Sequence, residues 1–242
     1  MSLEVGIVKQ IFRYPVKSMA AESLESCALG WHGLEGDRRF AFRRMEDSGG
    51  FPWLTAGRLA SLIRYQPFWI ENGADATPVL HVRTPNGKEF EASSEALRAE
   101  IAEAYGKDVQ IMQFKHGIFD EASVSLISLG TIYGLGIECG KLLDIRRFRP
   151  NLLIEFLTGE PFAEDQWVGQ VLQFGSDEGP EISITLRDVR CAMLNLDPDT
   201  AESDPVVLKS VARVNEVCAG VYATVTKTGT VSVGQKLFVK SL

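Results

Sequence analysis

A chain of 242 residues, 45% of them hydrophobic and 24% charged, carries enough apolar side chain for a packed core, which excludes disorder over most of its length. Its formal charge of −7 excludes the broad positive field that captures nucleic acid phosphates, while leaving room for local basic pockets. No apolar run approaches the about 20 residues of a membrane helix, and the first residues lack the basic-then-apolar pattern of a signal peptide, so the expected partners include no membrane and the expected location is the cytoplasm.

The elements expected in chain order are mostly strands. Val5, Ile7 and Ile11 begin an alternating pattern, Glu22 to Gly30 alternates polar and apolar, and Arg39 to Arg43 does the same. Asp47-Ser-Gly-Gly50 reads as a turn between strands. Val79 to Thr84 and Glu89 to Glu91 flank Pro85-Asn-Gly-Lys88, a hairpin signal. The period then changes: Leu97, Ile101 and Tyr105 share one face of a helix that Ser94 caps and Gly106 ends. A second short helix is expected over residues 128–134. A third is expected from about Asp204 to Cys218, with Asp204 as its N-cap, Pro205 at its first helical position and Val207, Val211, Val214 and Cys218 as its apolar stripe. Strands are read at Leu152–Phe156, Val171–Phe174, Ile182–Leu186, Val221–Thr226, Thr230–Val233 and Lys236–Val239, with Lys227-Thr-Gly229 as a hairpin turn. The list points to a mainly β fold with helical insertions, built as one or two β-barrels. The helix near residues 93–105 separates two β-rich stretches and suggests a boundary between residues 92 and 120.

Four segments combine basic side chains with Pro or Gly, or with a loop rich in Asp and Pro: Tyr14-Pro-Val-Lys-Ser18, Gly33-Leu-Glu-Gly-Asp-Arg-Arg39, Arg146-Arg-Phe-Arg-Pro-Asn151 and the stretch around Cys191. Each alone reads as solvated surface charge. Converging in one protein, they suggest an anionic ligand such as a phosphate. Cys27, Cys139, Cys191 and Cys218 are too irregularly spaced for a zinc or iron–sulfur motif. Cys191 stands out. It follows a strand pattern, precedes an Asp- and Pro-rich loop, and has Arg187 and Arg190 nearby, a setting that favours a thiolate. The competing reading is a small buried hydrophobe, which is how Cys27, Cys139 and Cys218 are read. Asp197 and Asp199 form a carboxylate pair suited either to acid–base work or to a turn in which Asp side chains accept backbone N–H bonds.

Taken in order, these segments resemble the MOSC family over nearly the whole chain. Tyr14 to Ser18 and Gly33 to Arg38 resemble the family's N-terminal β-barrel. Phe148-Arg-Pro-Asn151, Glu164-Asp-Gln-Trp167, Arg190-Cys191, Asp197-Pro-Asp-Thr200 and Gly229-x-Val-x-Val-Gly234 resemble the MOSC domain and its last hairpin. The resemblance implies an N-terminal MOSC β-barrel domain over residues 1–115 and a MOSC domain over residues 116–242. The pattern is most similar to the branch that reduces amidoximes and other N-hydroxylated compounds. It implies molybdenum cofactor (molybdopterin), with Cys191 as the catalytic thiolate bound to molybdenum. By the same matches, Lys17, Ser18, Arg38, Ser123, Ser125, Arg149, Asn151 and Arg190 would bind the cofactor. Thr55-Ala-Gly-Arg58 departs from the family's Thr-x-Arg pattern and lacks its proline, which leaves Arg58 without a matched role. Some relatives carry a fused ferredoxin domain. No corresponding cysteine cluster occurs here, so a separate reductase or iron–sulfur protein is the expected electron donor. Two alternatives stand beside this reading: a sulfur carrier using a Cys191 persulfide, and an inactive cofactor-binding module.

Overall fold

The computed structural model describes residues 2–71 and 77–240. In the first half the chain forms β1 (Ser2–Arg13), β2 (Glu22–Leu24), β3 (Ser26–Gly30), β4 (Gly33–Leu34), β5 (Phe40–Arg44), β6 (Gln66–Ile70), β7 (Val79–Arg83), β8 (Glu89–Glu91), α1 (Glu95–Tyr105) and β9 (Val109–Gln113). The second half adds β10 (Val124–Ser128), α2 (Leu129–Cys139), β11 (Leu152–Phe156), β12 (Val171–Phe174), β13 (Glu181–Val189), α3 (Val206–Asn215), β14 (Cys218–Lys227), β15 (Gly229–Ser232) and β16 (Lys236–Lys240). The fold is mainly β with helical insertions, as the sequence indicates.

Seven strands close into a barrel in the order β1-β11-β10-β14-β13-β12-β16, with β16 pairing back to β1 and β2 extending from β1. The β10–β11 pair is parallel and the other pairs are antiparallel. Inward-facing residues fill the interior: Val8 and Ile11 of β1, Val124 and Leu126 of β10, Leu152 and Ile154 of β11, and Ile182 and Ile184 of β13 are all buried. Full burial of each such side chain contributes about 1.5–3 kcal/mol. The spacing on β1 differs from the expected alternation. Register shifts between Glu4 and Gly6 and between Val8 and Gln10 change its phase, so Val5, Val8 and Ile11 face the core and Ile7 is only half-buried.

Strand pairing crosses the expected boundary between residues 115 and 116. β1 lies between β11 and β16, and β3 pairs with β15. The first 30 or so residues thus complete the barrel of the second half. Residues 40–113 build two small sheets, β5-β9 and β6-β7-β8, that share a second core with α1 through Phe42, Leu62, Val82, Leu97 and Ile101. The Ser94 hydroxyl accepts from Leu97 N and Gly106 adopts the left-handed conformation, so both expected ends of α1 hold. A third core seats α2 and α3 on the barrel through Ile132, Leu135, Val207 and Val211.

Three local expectations are corrected. α2 runs to Cys139, more than a turn beyond residue 134, before Gly140 ends it in a left-handed conformation. α3 ends at Asn215 because Glu216 and Val217 both have positive φ, so Cys218 opens β14 instead of completing a helical stripe, and Val214 is exposed. Lys227-Thr-Gly229 is not a hairpin turn, and neither is the segment from Gly229 to Gly234: β14 pairs with β10 and β13, β15 with β3, and β16 with β1 and β12. These segments instead carry the chain from one sheet to another.

Candidate functional site

The polar segments meet at one end of the barrel. Register fixes the meeting: Ile11 of β1 and Leu126 of β10 both align with Leu152 at the start of β11, and Tyr222 of β14 aligns with Ser125 and with Leu186 of β13. The chain leaving β1, entering β11 and leaving β13 therefore opens into a common cavity of about 430 Å³. Of the expected site residues, Lys17, Ser18, Arg38, Ser125, Arg149, Arg190 and Cys191 line it.

Asn151 stands behind this wall as a buried hub. Its Oδ1 accepts from Ser125 N (3.1 Å), Ser125 Oγ (3.2 Å) and Arg38 Nη1 (3.4 Å), and its Nδ2 donates to Phe12 O (3.2 Å). Ser123 is not part of the cavity wall. Its carbonyl packs against Gly33, where φ is +91° and a Cβ would lie 2.3 Å from that oxygen, so only glycine fits. Arg58 faces a different, charged hollow with Arg44, Asp47 and Lys107, away from the cavity.

Charge pairing separates the cations. Lys17 is buried, with Nζ donating to Asp120 Oδ1 (2.8 Å) and Ile118 O (3.1 Å), and burial pulls its pKa down against the attraction of Asp120. Arg38 pairs with the fully buried Asp37, whose Oδ1 also accepts from Tyr14 N (2.7 Å). Arg147 pairs with Asp197 (2.7 Å). Arg149 differs: among the described residues its guanidinium has no carboxylate partner, and it lies 4.3 Å from the centroid of the Tyr14 ring. Arg38 lies 4.7 Å from the same centroid. Burial, reinforced by Arg38, pushes the Arg149 pKa down to about 10 against the opposing influence of Tyr14. Ser18, Arg38 and Arg149 all hold positive φ, so three non-glycine residues of the cavity keep a backbone conformation that costs about 1–3 kcal/mol each.

Cys191 is exposed on the cavity wall, and no hydrogen bond to its thiol occurs among the described residues. Cys27 and Cys218 are buried, as expected, and Cys139 is half-buried. The two arginines that precede Cys191 are engaged elsewhere. Arg187 pairs with Asp165 (3.0 Å) and Glu216 (2.8 Å). Arg190 pairs with Asp188 (2.9 Å) and donates to Ala219 O (2.6 Å) and Phe148 O (2.7 Å). Gly220 gives Arg190 its room, since a Cβ there would meet Nη2 at 3.1 Å and Leu126 O at 2.7 Å. Asp197 is the turn residue, its Oδ1 accepting from Asp199 N and Thr200 N (both 3.1 Å), while Asp199 pairs with Arg146 (2.8 Å).

Two cavity residues were missed in the sequence. Asp188 is buried beside Arg190 and Tyr222, and loss of solvation raises its pKa to about 6 although Arg190 and the Tyr222 hydroxyl oppose the rise. Burial and the Asp188 charge push the Tyr222 phenol upward in turn. The available signal was a carboxylate two positions before Arg190 at the end of a strand. The cavity suits a group with a thiophilic metal at one place and a phosphate at another: a thiol without a hydrogen bond and a guanidinium without a carboxylate partner, among the described residues, line the same space.

Two family models match the chain: the MOSC domain over residues 92–238 and the MOSC N-terminal beta barrel domain over residues 5–124. The chain belongs to the MOSC domain family, which is associated with molybdenum cofactor binding. No curated protein matches it. Among solved structures, the YUAD protein from Bacillus subtilis is similar over 100% of both chains, with 14% identity and a TM-score of 0.55, a likeness of fold alone. YiiM from Geobacillus stearothermophilus matches 49% of this chain and 54% of its own, with 13% identity and a TM-score of 0.38. A protein described only as hypothetical matches 99% of this chain and 70% of its own, with 12% identity and a TM-score of 0.48. No helix of the described residues is long and apolar enough to cross a membrane.

Proposed function

We propose that the protein is a molybdenum-cofactor-dependent reductase of small N-hydroxylated compounds. The observation that carries this reading is the exposed Cys191 thiol lining the same cavity as the carboxylate-free Arg149 guanidinium. Family membership supports the cofactor, and the order of the motif segments supports the branch. Cys191 would hold the metal. Arg149, Lys17, Arg38 and Ser18 would hold the phosphate-bearing end, with Ser125 and Asn151 fixing the wall behind them and Arg190 bracing the strand end that presents Cys191.

When bound, the cofactor supplies two-electron chemistry for removing oxygen from the substrate. The reaction is balanced as R–NH–OH + 2 e⁻ + 2 H⁺ → R–NH₂ + H₂O, so protons must reach the leaving hydroxyl. Asp188 lines the cavity three residues before Cys191, and burial raises its pKa to about 6, so it is the carboxyl that would exchange a proton there. The Arg190 ion pair and the Tyr222 hydroxyl hold its carboxyl in place. The electrons would come from a separate reductase or iron–sulfur protein.

The test is reduction of benzamidoxime to benzamidine by protein made in a molybdenum-replete host, with a chemical reductant as donor. Turnover by the wild type and none by Cys191→Ala is expected. Failure of molybdenum-loaded wild type to reduce any N-hydroxylated substrate would refute the assignment.

A further inference from the structure

A second cavity, of about 550 Å³, lies on the other side of Arg149. Arg147, Arg149 and Met193 line both cavities, but the second contains neither Cys191 nor Lys17. Its wall is assembled from separate parts of the chain: Ile63 to Phe68 at the start of β6, Thr84 to Gly87 in the β7–β8 turn, Arg146 to Arg149, and Met193 to Asp199. Its size falls within the range of small-molecule sites.

Five arginines line this space: Arg64, Arg83, Arg146, Arg147 and Arg149. Three are committed, Arg83 to Glu89 (2.8 Å), Arg146 to Asp144 (2.6 Å) and Asp199 (2.8 Å), and Arg147 to Asp197 (2.7 Å). Among the described residues neither Arg64 nor Arg149 has a carboxylate partner. Among the described residues Asp199 is the only carboxylate in the wall, and it is already paired. Tyr14, 2% exposed, forms part of this wall and presents its ring to the Arg149 guanidinium. Beside these polar groups run Phe68, Pro67, Pro85, Ile63 and Leu196, an apolar surface that suits the body of an organic molecule.

We infer that this cavity is a separate site for a small organic anion: a carboxylate or phosphate monoester with an apolar, ring-sized body. The anionic head takes the free guanidinium groups and the body lies on the Pro67–Phe68 surface. Because Arg149 belongs to both walls, occupancy here bears directly on the residue that faces the first cavity. The inference applies to the protein with its first cavity empty, since Arg149 is also the residue proposed above to hold the cofactor's phosphate-bearing end.

The experiment is calorimetric titration of the full chain with phenyl phosphate and with benzoate, using benzyl alcohol as the neutral counterpart. Arg64→Glu and Arg64→Gln alter an exposed residue of the second cavity only, and Lys17→Gln alters the first. At least one anion is expected to bind the wild type. Its affinity should fall about tenfold or more in Arg64→Glu, fall less in Arg64→Gln and hold within about twofold in Lys17→Gln. Benzyl alcohol should not bind measurably. The inference is overturned if neither anion binds the folded wild type at millimolar concentration, if benzyl alcohol binds as well as the anions, or if Lys17→Gln abolishes binding that both Arg64 variants retain. That last pattern would place the anion in the first cavity.

Discussion

The Arg149 guanidinium carbon lies 4.3 Å from the centroid of the Tyr14 ring. A cation held against an aromatic face with no carboxylate beside it is poised for an external anion, and in the ligand-free protein it is a burden. Its folded pKa is depressed from 12.5 to about 10, so the charged form destabilises the fold throughout the neutral range. Arg149→Met keeps the packing on Tyr14 and removes the charge. The ligand-free variant should therefore be more stable than wild type by about 1 kcal/mol in urea denaturation, and added phosphate should raise the stability of the wild type but not of the variant.

Asn151 to Ala removes the acceptor for Ser125 N and Oγ and the donor to Phe12 O, all buried. Leaving those groups unpaired should lower stability by about 3 kcal/mol. Urea unfolding checks it, and a loss below about 1 kcal/mol would mean that Asn151 is not the hub described.

Asp188 links stability to pH. Its folded pKa is raised from 3.8 to about 6, so the native state binds the proton more tightly than the unfolded chain. The associated stability is fully present below about pH 4 and is lost as pH rises through about 6, amounting to about 3 kcal/mol at most. Asp188→Asn has no such proton. Between pH 4 and 7 the stability of wild type relative to the variant should fall, as measured by chemical denaturation across that range. A constant difference would contradict the buried-carboxyl assignment.

Cys191 is exposed and its thiol makes no hydrogen bond among the described residues, so Cys191→Ser should change the unfolding free energy by no more than about 0.5 kcal/mol. A large loss would show that Cys191 supports the fold and is not merely presented by it.

What could be read from the sequence was what local chemistry decides. Ser94 and Gly106 mark both ends of α1 because caps act within a turn. Asp197 makes its turn with residues two and three positions away. The polar segments beside Pro and Gly do converge, and Lys17, Arg38, Arg149 and Cys191 share a cavity. What stayed hidden depends on partners distant in the chain. The bulges in β1 answer to β11 and β16, and the partner of β15 lies among the first 30 residues. Arg187 and Arg190 flank Cys191 in sequence but are drawn away by Asp165, Glu216 and Asp188. Asp37 and Asp188 escaped notice because an acidic residue in a basic segment looks like a surface charge until its burial is known.

The most direct test of the central claim is molybdenum and pterin content of wild type and Cys191→Ala, purified in parallel from a molybdenum-replete host. Stoichiometric molybdenum with pterin is expected in the wild type, and loss of the metal in the folded variant. Folded wild type containing neither, above all with a labile sulfur adduct on Cys191, or a Cys191→Ala protein that keeps its molybdenum, would contradict it.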